Sequence, residues 1–181
     1  MRPQNLFPVN ATRLLVRGVN WLGDAVMTTP ALLRLRERFP EAHIVLLTPA
    51  KLRDLWPQHP AINETIAFAE GESLFSVSRR LREKNFDLAL VLPNSPRSAL
   101  EVWLARVPRR LGYARPWRNW FLTTAVPARP GRVPMRKRSV SEIKRLTNPA
   151  AASDHASRLT PHAQAHQVHE YLHLAAALDA S

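Results

Sequence analysis

Short, nearly continuous apolar runs alternate along this chain with longer stretches in which apolar side chains recur every three or four positions. The runs are Leu14-Leu15-Val16, His43 to Leu47, Thr65 to Phe68 and Leu88 to Leu92. Each has strand length, and an unbroken apolar run is what a strand covered on both faces of a parallel sheet requires. Between them, the spacing of Val26, Leu32, Leu33, Leu35 and Phe39 predicts a helix over 25–38, in which Pro30 should produce a kink or a local break. A short helix is expected over 50–56, ending before Pro57 and Pro60. Residues 73–84 form an amphipathic helix, with Leu74, Val77 and Leu81 on the apolar side and Arg79, Arg80 and Arg82 on the other. A helix over 96–106 follows the fourth strand, and Leu111-Gly112-Tyr113 starts a further one. Thr160-Pro161 reads as a cap with proline in the first helical position of a closing helix, 161–179. Strand and helix alternate throughout the first 110 residues, which predicts an α/β, doubly wound, Rossmann-like parallel sheet with helices on both faces.

In such a sheet, ligands bind at the carboxyl ends of the strands. Two turns fall there. The first is Gly18-Val19-Asn20-Trp21-Leu22-Gly23-Asp24, between the first strand and first helix; the second is Pro93-Asn94-Ser95. The glycine spacing is not the G-x-G-x-x-G dinucleotide fingerprint, and Asp24 stands where a phosphate-binding loop carries Lys. Asp24 at the helix start has two readings, a catalytic carboxylate or a helix cap favoured by the positive end of the helix dipole. Trp21 either packs the helix start or lines a sugar. Asn94 and Ser95 are residue types of ordinary turn chemistry.

Composition narrows the field. The absence of cysteine excludes disulfides and thiolate metal sites, and no apolar stretch approaches the roughly 20 residues of a membrane span. The N-terminal residues carry no apolar segment of the secretory kind, so the cytosol is the expected location. The net charge is +12, and half of that excess lies between residues 128 and 158, a stretch rich in Pro, Ala and Ser. That stretch reads as a basic flexible linker, 128–160, suited to an anionic membrane, to nucleic acid or to solvent alone. Arg-rich composition without a reader motif or interleaved aromatics leaves nucleic acid unexpected. His162, His166, His169 and His173 share one helical stripe, at a spacing that can hold zinc. The stripe is expected on the solvent face, opposite Val168, Tyr171, Leu172, Ala175 and Leu178, so no metal is expected. Trp56, Trp103, Trp117 and Trp120 read as core or interface filler.

The stretch from Arg17 to Leu32, RGVNWLGDAVMTTPAL, resembles the N-terminal signature of the ADP-heptose:lipopolysaccharide heptosyltransferases, glycosyltransferase family 9. Asn20-Trp21, together with Leu92-Pro93-Asn94-Ser95, Arg97 and Ser98-Ala99-Leu100, is most similar to the heptosyltransferase II branch. His166 to Leu172 resembles a later stretch of the family more weakly. The resemblance implies the N-terminal, acceptor-binding domain (1–127) of a GT-B glycosyltransferase, with residues 161–181 leading toward a donor-binding domain that this chain lacks. On its own the chain is then expected to be inactive. Asp24 becomes the candidate general base for inverting transfer of heptose from ADP-heptose to the lipopolysaccharide inner core. Asn20, Trp21, Gly23, Asn94, Ser95 and Arg97 become candidate substrate contacts, Arg97 for the anionic groups of the acceptor. No cofactor is implied beyond the donor. The implied partners are a lipid-linked core oligosaccharide, a separate donor-binding domain and the anionic cytoplasmic face of the inner membrane. The loop Ala69-Glu70-Gly71-Glu72 is acidic, and no acceptor contact is expected there. The reading from another class is a non-catalytic Rossmann-like module that binds an anionic glycolipid or a protein.

Overall fold

Leu14, Leu15 and Val16 are wholly buried, and successive residues on a strand point to opposite faces. Such a strand needs cover on both sides. The computed structural model, which describes residues 10–129 and 167–180, supplies it. Six parallel strands run β1 (Arg13–Arg17), β2 (His43–Pro49), β3 (Glu64–Phe68), β4 (Leu88–Val91), β5 (Arg109–Tyr113) and β6 (Thr124–Val126), in the spatial order β3-β2-β1-β4-β5-β6. Leu15 pairs with Val45 on one side and Ala89 on the other. Leu14, Val16, Ile44, Leu46, Leu88 and Leu90 face α1 (Leu22–Arg38) and α4 (Val168–Ala176). Leu15, Val45, Leu47, Ala89 and Val91 face α2 (Leu74–Glu83) and α3 (Pro96–Leu104). This is the expected doubly wound sheet. Its order reverses between β1 and β4, so the crevice for a ligand opens above those two strands.

Several expectations are corrected. Helix α1 starts at Leu22, three residues early, so Asp24 lies within the first turn and the capping position is Trp21, whose side chain makes no cap hydrogen bond. Pro30 does not break α1. Its missing N–H deprives the Val26 carbonyl of a partner, but both residues are exposed and water can satisfy the group. The segment 50–55 is a 3₁₀ turn, and β5 begins two residues before Leu111. A short sixth strand, β6, was not expected.

The closing helix is described only from Gln167. His162, His166 and the basic segment 130–160 lie outside the described residues. What is described of that helix packs with the sheet domain, because Tyr171, Leu174 and Ala175 bury against α1. Among the described residues of the histidine stripe, His173 is not turned freely to solvent. His173 stacks on Tyr113 with centroids 5.8 Å apart, and the Tyr113 hydroxyl lies 3.0 Å from its Nδ1 and donates to the Glu170 carbonyl at 2.7 Å. Of the tryptophans expected as filler, Trp56 is buried, but Trp103, Trp117 and Trp120 are exposed.

Tyr171 ties α4 to the start of α1. Burial, and then the negative charge of Asp24, push its phenol up to about 12. An unfolded tyrosine titrates near 10, so above that pH the unfolded state releases a proton that the folded state retains. The contribution of neutral Tyr171 is intact below pH ~10 and is lost as the pH climbs toward 12. Urea denaturation should show stability falling by roughly 2–3 kcal/mol more across that window in the parent than in Tyr171→Phe. Parallel pH profiles would contradict the burial.

Candidate active site

Arg17 ends β1 in the middle of the sheet, almost wholly buried, where an isolated guanidinium is costly. Glu101, on α3 and equally buried, compensates it: Nε donates to Oε2 at 2.8 Å. A second nitrogen of Arg17 donates to the Gly18 carbonyl at 2.6 Å and to Asn20 Oδ1 at 3.0 Å, and its guanidinium lies 4.7 Å over the Phe68 ring. Gly18 is required here. Its N–H donates to the Leu47 carbonyl at 2.8 Å, and a Cβ would stand 3.0 Å from that same oxygen. The first turn is thus pressed against β2 and braced from below by Arg17.

Around this brace a cleft of about 510 Å³ opens at the carboxyl edge, lined by residues from four segments. These are Arg17 and Asn20, then Pro49-Ala50-Lys51 after β2, Phe68 to Gly71 after β3, and Ser95 and Arg97 at the start of α3. Arg97 is held at Nε by the far oxygen of Glu101 at 3.4 Å and donates from Nη2 to the Glu72 carbonyl at 2.8 Å. One buried carboxylate therefore positions two arginines. Lys51 lies 5.2 Å over the Trp21 ring. Three cations line the cleft against a single lining carboxylate, Glu70.

The loop after β3 belongs to the cleft, although its acidic character gave no reason to expect a contact. Its second acid is turned inward. Glu72 accepts from the Ala69 N–H, from Ser76 and from Arg80. Burial alone would raise its carboxyl, but these partners hold it below the ordinary range.

The structure brings Asn20, Ser95 and Arg97 to one cleft and leaves Trp21, Gly23, Asp24 and Asn94 outside its lining. Asp24 is half-buried in the first turn of α1, on the side of Tyr171. A Cβ on Gly23 would touch nothing, so packing does not demand that glycine. Trp21 is exposed rather than packed into the helix start. Ser95 serves turn chemistry as the cap of α3, accepting from the Ser98 N–H at 3.3 Å. Asn94 is exposed, and its Oδ1 accepts from Arg118 at 3.3 Å.

Sequence reasoning passed over Arg17, Lys51, Phe68 and Arg118. Arg118 is wholly buried, its Nε and Nη2 have no hydrogen-bond partner among the described residues, and burial followed by the charge of Arg115 lowers its pKa to about 10. It fits because residue 112 has no side chain: a Cβ there would lie 2.8 Å from Nη2 and 3.0 Å from the Val91 carbonyl oxygen.

The buried pair yields a stability test. Glu101→Ala leaves Arg17 buried without its counter-charge and should cost about 3–5 kcal/mol in urea denaturation. Replacing both, Arg17→Met with Glu101→Leu, should recover most of that loss; equal losses for the single and double variants would show that charge compensation is not the cause.

The family model of glycosyltransferase family 9 (heptosyltransferase) matches residues 74–170. The chain is 36% identical over 119 residues to lipopolysaccharide heptosyltransferase 2 of Salmonella typhimurium, covering 62% of this chain and 34% of that protein. It is 37% identical over 107 residues to the protein of the same name in Escherichia coli, covering 56% and 31%. It spans about a third of the length of these curated relatives. The solved structure of E. coli ADP-heptose LPS heptosyltransferase II matches 90% of this chain and 40% of its own, at 28% identity and a TM-score of 0.62. A family 9 glycosyl transferase from Veillonella parvula matches 98% of this chain and 44% of its own with a TM-score of 0.71; at 20% identity that likeness speaks for the fold alone. With its fold that of an N-terminal GT-B domain and the family match extending over more than half its length, the chain belongs to glycosyltransferase family 9, the heptosyltransferases.

Proposed function

We propose that this chain supplies the acceptor-binding domain of an inverting heptosyltransferase that moves heptose from ADP-heptose to the lipopolysaccharide inner core. The observation that supports this most is the convergence of Arg17, Asn20, Lys51, Ser95 and Arg97 on one cleft above the β1–β4 reversal. A core acceptor linked to lipid carries carboxylate and phosphate, and a cleft that offers the cations of Lys51 and Arg97 suits such a ligand. Arg97 is the exposed guanidinium that pairs with it; Asn20 and Asn94 offer hydrogen bonds to sugar hydroxyls. Trp21 and the side-chain-free Gly23 lie in the turn between Asn20, which lines this cleft, and Asp24.

Asp24 acts as general base. The acceptor hydroxyl attacks the anomeric carbon of the donor as its proton passes to the Asp24 carboxylate. The bond from that carbon to the diphosphate oxygen breaks, and ADP leaves with the electron pair. A carboxylate is a weak base toward an alcohol, so the proton moves late, in concert with bond formation. Charge on the departing diphosphate is stabilised by a donor-binding domain, supplied in the same polypeptide or in trans, without a further cofactor. The reaction belongs at the cytoplasmic face of the inner membrane, where the lipid-linked acceptor is presented.

Heptose transfer from ADP-heptose to a core-lipid acceptor, detected by mass, tests this with the donor-binding domain supplied. Asp24→Asn should lower the rate by about 10²–10⁴ with acceptor binding intact. Arg97→Ala should raise the acceptor KM with a smaller effect on kcat. Acceptor binding without transfer in any combination would make the domain a binding module and Asp24 a structural residue.

A further inference from the structure

Between Trp103 and Phe121 the sequence carries five arginines, Arg106, Arg109, Arg110, Arg115 and Arg118, and three tryptophans, with no Asp or Glu. Folding brings part of this together. Trp103 stands near the end of α3, and Phe121 of the following 3₁₀ turn (Asn119–Phe121) packs edge-on against it, with centroids 5.8 Å apart. Arg110 donates to the Phe121 carbonyl at 2.7 Å, and Arg82, Trp103, Leu104, Arg106 and Arg110 line one recess. In the segment that leads to Phe121, Trp117 and Trp120 are 84% and 86% exposed. Among the described residues, neither of their rings stacks on another. Trp117 sits at φ +63°, a conformation that bulky residues rarely adopt; its neighbour Arg118 is turned fully inward while the indole stands in water.

Apolar surface of this size left in water calls for a partner. Indoles partition to the boundary between headgroups and acyl chains, and exposed arginines are drawn to anionic headgroups. A single-strand nucleic-acid platform would instead set its aromatic faces along a basic groove. Here the most exposed indoles stand in the short segment whose Phe121 packs on Trp103 at the basic recess. We propose that Trp103, Trp117 and Trp120, with Arg82 and Arg106, form a docking surface for a bilayer containing anionic phospholipid. The inference rests on the proposed lipid-borne acceptor for its purpose, and α3 gives the geometry. Six residues separate Arg97 at the cleft from Trp103 at the docking surface, about 9 Å along a helix. A protein seated on the bilayer by this face holds its cleft within reach of a sugar anchored there.

The test uses the 181-residue chain and vesicles without any glycolipid acceptor, so its outcome is independent of transfer activity. Vesicles of phosphatidylcholine alone are compared with vesicles containing phosphatidylglycerol, each with ordinary or brominated acyl chains. Expected are binding that requires phosphatidylglycerol and weakens with salt, and quenching of indole emission by the brominated lipid. Trp117→Ala with Trp120→Ala should weaken binding about tenfold or more and remove most of the quenching. Circular dichroism and thermal unfolding confirm that this variant is folded, as both side chains are exposed. Equal binding by parent and double variant would place the contact elsewhere on this basic chain and overturn the proposal. So would absence of binding to the phosphatidylglycerol vesicles, or an effect of the double variant confined to a single-stranded oligonucleotide.

Discussion

A guanidinium at the end of the central strand of a parallel sheet has no water to solvate it, and the position of Glu101 on α3 follows from that constraint. The carboxylate must approach Arg17 from the helix layer, which fixes the rotation of α3 about its axis and its height above β1 and β4. Two consequences reach the cleft. The remaining donors of Arg17 brace the Gly18–Asn20 turn, and the second oxygen of Glu101 orients Arg97. A buried ion pair contributes little net stability because desolvation offsets most of its Coulomb attraction. What this one provides is placement, since it joins the first turn to the start of α3 across the sheet reversal.

The parts of the fold that were legible are those in which a local pattern and the tertiary environment demand the same thing. β1, β2 and β4 are buried on both faces, and their continuous apolar runs declare it. The start of β5 was hidden because Arg109 and Arg110 are polar; they belong to the strand because the ladder to β4 needs only their backbone. β6 is three residues long and carries almost no pattern of its own. The histidine stripe misled because helical spacing says which residues share a face but not what lies opposite. Tyr113 gives His173 a stacked, hydrogen-bonded neighbour that no local pattern encodes.

The candidate site divides in the same way. Asn20, Ser95 and Arg97 were visible because each lies in a turn at the carboxyl end of a strand. Lys51 and the loop from Phe68 to Gly71 reach the cleft only through the parallel pairing of β2 with β1 and β3, which joins residues far apart in sequence. Arg17 did leave a trace: a lone cation closing an apolar run, and a lone acid on a helix otherwise apolar inward, are each costly unless they meet. The acidity of the loop after β3 pointed away from the cleft because composition cannot show that Glu72 is consumed by Ser76 and Arg80.

Arg118 and Arg17 solve one problem by different means. Each sends a guanidinium from the sheet's carboxyl edge to an asparagine in a candidate ligand loop, Arg17 to Asn20 and Arg118 to Asn94. Arg17 is neutralised by Glu101, whereas among the described residues the Arg118 guanidinium meets only the neutral amide oxygen of Asn94. With its pKa lowered to about 10, Arg118 still carries its charge at neutral pH, so burial weakens the cation without discharging it. The two braces therefore differ in what they leave at the surface. The first turn is held by a closed ion pair and contributes geometry. The second is held by an uncompensated positive charge, whose field in a poorly solvated interior extends to the neighbouring loop. The absence of a side chain at residue 112 is the steric condition for that arrangement, which makes Gly112 as much a part of the Asn94 loop as the residues on it.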